Sequence, residues 1–154
     1  MNSADAMDIT LNQLVPVLQL AIGPVILISG VGLLLLSFTN RLGRLIDRTR
    51  LLHRERLSGP APERQGLLRE QIELIDRRAG ILRQAIGLAA LTVLLVSVLI
   101  LVLFVSALFH LELGVLIVGL FALGVLALIG SVIGFLREIT LSLEAVRLET
   151  RGGA

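Results

Sequence analysis

The side chains able to carry acid–base, metal or anion chemistry are few and unevenly placed. They are two histidines, twelve carboxylates and fourteen arginines, with no lysine, cysteine, tryptophan or tyrosine. His53 falls within an arginine-rich stretch and His110 in a short break between two apolar runs. No grouping of His, Asp and Glu has metal-ligand spacing. Neither a GxSxG nucleophile motif nor a phosphate-cradling glycine loop occurs. The absence of cysteine removes disulfides, thiolate-bound zinc, iron–sulfur clusters and thiol nucleophiles. The expectation is therefore a protein that is not an enzyme, with no catalytic residue, cofactor or metal site.

What remains is anion chemistry. Asn40, Arg41, Arg44, Asp47, Arg48 and Arg50 crowd one short segment, and Arg137 with Glu138 stands alone after a long apolar run. Such a belt holds anionic lipid headgroups, or it sets topology and pairs with carboxylates such as Asp47 and Glu138. Nucleic acid is not an expected partner, because neither aromatics nor lysines interleave with the arginines. Membrane lipid is.

The elements that position these groups follow from composition. Hydrophobic residues make up 55% of the chain and charged residues 17%, with a mean hydropathy of +0.92. A soluble domain carries about 25% charged residues. The apolar residues form three runs, at 14–38, 85–109 and 113–136. Each exceeds the roughly 20 residues needed to cross about 30 Å of hydrocarbon. The 110–112 break is so short that the second and third spans form an antiparallel hairpin.

Eleven arginines lie in 39–84 and three (Arg137, Arg147 and Arg151) follow the third run, whereas 1–13 and 110–112 hold none. The positive-inside rule then places 39–84 and 137–154 in the cytoplasm, with the N-terminal tail and the 110–112 turn outside. The N-terminal segment has neither the positive region nor the small-residue cleavage site of a secretory signal. The first run is therefore expected to be a retained helix.

Within 39–84, Leu42, Leu45, Thr49 and Leu52 follow helical spacing. A breaker at 58–62 (SGPAP) reverses the chain. Leu68, Ile72, Ile75, Ala79, Leu82 and Ile86 then repeat as a heptad seam leading into the second span. Arg69, Glu73 and Arg77 are spaced for an i,i+4 ladder. Ile139, Leu143 and Val146 carry a stripe beyond the third span. The predicted extensions beyond the membrane reach about 25, 33 and 20 Å in chain order. The fold expected is all-α: three transmembrane helices extended into a cytoplasmic helical hairpin and bundle.

Inside the first span, Pro16 is tolerated near a helix start, and Pro24, after Gly23, should kink the helix. Gly30 and Gly32 add a smooth patch that serves either a hinge or packing. Gln19 is costly in lipid and should face protein or water. Gly130 and Gly134 form GxxxG beside Ser131, and Ala85 and Ala89 repeat the spacing, for packing within the protein or between copies. No ionisable residue lies well inside any run, which argues against proton relays, ion coupling and voltage sensing.

The stretches LQLAIGPVILISGVGLLLLSFTNRLGRLIDRTR (18–50), RRAGILRQAI (77–86) and FLREITLSLEAVRLE (135–149) resemble the DUF2721 family of small bacterial membrane proteins of unknown function. The resemblance implies a bacterial inner-membrane setting and supplies no activity or cofactor. It suggests one cytoplasmic-interface cluster of Asn40, Arg41, Arg44, Asp47, Arg48, Arg137 and Glu138, at matching membrane depth. The function expected is that of a self-associating scaffold or subunit of a membrane assembly, a homo-oligomer. The alternative is a small oligomeric channel or transporter lined by Pro24 and the Gly30–Gly32 patch.

Overall fold

A computed structural model describes the backbone of residues 3–59 and 62–151 and the side chains of 15–16, 18–59 and 64–140. The described chain is all-helical. α1 spans Ser3–Leu57, α2 spans Pro62–Phe109 and α3 spans Gly114–Arg151. Each contains a stretch long and apolar enough to cross a membrane. No helix breaks where a predicted span meets its polar extension, because neither apolar nor arginine-rich segments contain a strong helix breaker there. Helix α1 already begins at Ser3, so Pro16 lies in its interior rather than near its start, and α1 also remains helical through Pro24.

The two reversals use positive-φ residues. α1 ends at Leu57, and Gly59 follows at φ 73°, the left-handed cap that glycine adopts without a Cβ clash. Ser58 Oγ donates to the Glu55 carbonyl at 2.6 Å, and Arg64 Nε and Nη2 both donate to Glu55 Oε1, at 2.9 and 2.6 Å. Pro60 and Ala61 of the expected breaker lie outside the described residues. At the other reversal His110 takes φ 53°, and the Leu111 N–H donates to the Ser106 carbonyl at 3.1 Å. That six-to-one bond is the Schellman closure of a helix end.

The chain divides into two compact units. One comprises Met1–Leu33 and Ala89–Leu128, the other Leu34–Leu88 and Ile129–Ala154. In the first, Ala21, Val31, Ala89, Val96, Leu99, Leu103 and Ala127 are buried, as is Thr92, whose hydroxyl donates to the Gly124 carbonyl at 3.3 Å. In the second, Phe38, Leu45, Leu68, Ile72, Ile75, Leu82 and Ala85 are buried.

Of the expected α2 seam, Leu68, Ile72, Ile75 and Leu82 are buried and Ala79 is half-buried, and beyond Leu82 the register changes. Ala85 is buried and Ile86 only half-buried. The physical reason is close approach of α3. A Cβ built on Gly134 would stand 3.3 Å from the Ala85 Cβ, and one on Gly130 would stand 3.2 Å from Leu88 Cδ1. Ser131, fully buried, donates to the Ala85 carbonyl at 2.7 Å. The GxxxG spacing therefore serves packing within the protein. Arg69, Glu73 and Arg77 remain exposed, and no ion pair among the described residues joins them. Leu143 and Val146 of the predicted C-terminal stripe lie outside the described side chains.

Candidate functional site

Among the described residues, the second unit carries one fully buried carboxylate. The inward seam of α3 runs through Ser131 and Gly134 to Glu138, which is 0% exposed. Small residues let α3 approach its neighbours closely. A carboxylate one turn beyond them is thereby buried, and a buried charge requires partners. Two arginines supply them. Arg41 of α1 places Nε 3.2 Å from Glu138 Oε2, and Arg78 of α2 donates from Nη2 to Oε1 at 3.0 Å. All three helices thus meet on one anion.

Aromatic rings stand one helical step from both charges. Phe38 lies three residues before Arg41 and Phe135 three before Glu138. The rings stack at 4.4 Å between centroids with 28° between planes. The Arg41 guanidinium lies over Phe135, 5.4 Å from its centroid, within cation–π range. Arg41 is therefore held by an ion pair and a ring face, yet its side chain remains 30% exposed; that of Arg78 is 20% exposed.

Two arginines around one carboxylate leave a local excess of positive charge. With Arg44, Arg48, Arg77, Arg83 and Arg137, the flanking segments 40–48, 76–83 and 137–138 contain seven arginines against three carboxylates. The arrangement can pair with an anion. Among the described residues no group of three or more His, Asp or Glu side chains is placed to hold a metal ion.

Of the residues expected to cluster, the structure brings Arg41 and Glu138 together. Asn40, Arg44, Asp47, Arg48 and Arg137 are exposed around them. Arg78, Phe38 and Phe135 were not among the expected residues. For Arg78 a signal existed: it lies three residues after Ile75 and four before Leu82, on the seam side of α2. In the other unit, Gln19, Gly23 and Gly30 are exposed, as is Gly32, and Pro24 is half-buried. A Cβ on Gly23, Gly30 or Gly32 would meet nothing within 4 Å, so none of these glycines serves a close helix contact within the protein.

The described residues form an all-helical fold with three helices long and apolar enough to cross a membrane. Residues 21–148 match the family described as protein of unknown function (DUF2721), and the chain belongs to that family. No curated protein and no solved structure matches it.

Proposed function

We propose that this is a multi-pass protein of the bacterial cytoplasmic membrane that associates with further copies of itself through α1 and acts, without catalysis, as a scaffold or subunit of a membrane assembly. The observation that carries this reading is the unpartnered face of α1. Gln19, Gly23, Ile26, Gly30 and Leu33 recur at alternating four- and three-residue steps, and all are exposed. This is the spacing of a helix–helix seam. Only 11% of the most apolar window of α1 is buried within the protein, so the remainder faces lipid or another copy.

Lipid is the poorer partner for this face. Glycine offers hydrocarbon chains little contact surface, whereas it lets a second helix come close. An unpaired amide in an apolar medium costs about 1–3 kcal/mol even on mutational scales. A second copy supplies backbone or amide partners for Gln19. The α3 GxxxG motif, by contrast, is already occupied by α2 and does not contribute.

Arginine asymmetry supports an orientation with the N-terminus and the 110–112 turn outside and the α1–α2 reversal and C-terminus in the cytoplasm. Native mass spectrometry of the detergent-solubilised full chain tests the association. The wild type should appear as a defined multimer, and the Gly23→Leu/Gly30→Leu variant as a monomer with unchanged helix content. Open space around both glycines makes that separation clean. A wild type that is monomeric throughout refutes the reading.

A further inference from the structure

We propose that Arg41, with Arg44 one turn further along α1, binds the phosphate of an anionic phospholipid headgroup. The proposal does not rest on self-association, since a single copy carries the whole site.

Level is the first argument. Phe38 and Leu136 end apolar runs; Arg41 follows Phe38 by three residues and Arg137 follows Leu136 directly. Arg41 therefore stands where hydrocarbon gives way to headgroups. Leu36, Ile133 and Leu136 of the same unit are exposed, apolar surface of the kind acyl chains cover.

Preorganisation is the second. Arg41 pairs with Glu138 by charge, Nε standing 3.2 Å from Oε2 without hydrogen-bond geometry, and its part-exposed guanidinium can donate to oxygen in the two-pronged geometry that suits a phosphate. The Phe135 ring beneath the guanidinium restricts its orientation, so less freedom is lost on binding. Partial burial lowers the effective dielectric and strengthens the attraction. Arg44, i+3 on the same helix and exposed, extends the positive surface.

Charge is the third. The flanking segments 40–48, 76–83 and 137–138 hold seven arginines against three carboxylates. A free phosphate offers the same oxygens. The exposed apolar residues of the same unit, on the hydrocarbon side of Arg41 in sequence, favour the lipid.

Native mass spectrometry of the full chain decides, with phosphatidylglycerol, phosphatidylcholine of matched chains, and excess inorganic phosphate as competitor. The expected result is retention of phosphatidylglycerol about tenfold over phosphatidylcholine, the size of one charge-assisted contact. Phosphate should not displace it. Arg41→Gln should abolish most of the preference, and Arg41→Lys should weaken it while keeping the charge. Glu138→Gln should lose thermal stability in lipid-free detergent and regain it with phosphatidylglycerol only. If Arg41→Gln does not fold, Arg44→Gln, at an exposed position, and Arg41→Lys carry the test. An unchanged preference in both overturns the proposal. So does equal retention of the two lipids, or displacement by phosphate alone, which would mark a free-anion site.

Discussion

Replacing Glu138 by alanine removes the anion on which all three helices converge. Glu138 is fully buried and meets Arg41 at 3.2 Å and Arg78 at 3.0 Å. Removing one partner of a buried ion pair costs about 3–5 kcal/mol, because the opposite charge is left uncompensated. Here the arginines keep 30% and 20% exposure, so water reaches both, and the low end, about 3 kcal/mol, applies. For a chain of this length each kcal/mol corresponds to roughly 2–4 °C. Thermal unfolding in a zwitterionic detergent, followed by loss of helical circular dichroism, should therefore show a drop of about 6–12 °C. Glutamine keeps the volume and one acceptor and should lose about half as much. Exposed Glu112 serves as the control, and its alanine variant should unfold like the wild type. In a double-mutant cycle, Arg78→Gln with Glu138→Gln should be less destabilised than the two single variants combined, by about 1 kcal/mol or more. A Glu138→Ala protein within about 0.5 kcal/mol of wild type would show that the clamp does not hold the helices together.

Gly134→Leu has no room beside Ala85, where even a Cβ stands 3.3 Å from its neighbour. It should destabilise by about 1–3 kcal/mol through overpacking, whereas Gly66→Leu, exposed in open space, should leave unfolding unchanged; the same melts read both. Single cysteines introduced into the cysteine-free chain at Gly59 and at Glu112 report topology. An impermeant thiol reagent applied to intact cells should label position 112 and not 59, and the reverse pattern would invert the orientation.

Much of this architecture is legible in the sequence because hydrocarbon imposes a length and a polarity on whatever crosses it. The three spans, the 110–112 turn and the Leu68–Leu82 seam follow from that constraint and from period. Arg41 and Glu138 could be matched because each lies within three residues of the end of an apolar run. Arg78 was harder to see, since Arg77 beside it offers the same chemistry and only the phase of the seam separates them. The stacking of Phe38 on Phe135 depends on tertiary placement that no local pattern encodes. The register change at Ala85 arises from the close approach of Gly134 on another helix. The Arg69–Glu73–Arg77 ladder does not form, in keeping with the small worth of exposed ion pairs against side-chain entropy.

Cross-linking in native membranes tests the proposed self-association most directly. A single cysteine at Gly30, on the open face of α1, should give a disulfide-linked dimer on mild oxidation. A cysteine at Leu116, exposed on α3, should not. No dimer at Gly30, or dimers of equal yield at both positions, would contradict association through α1.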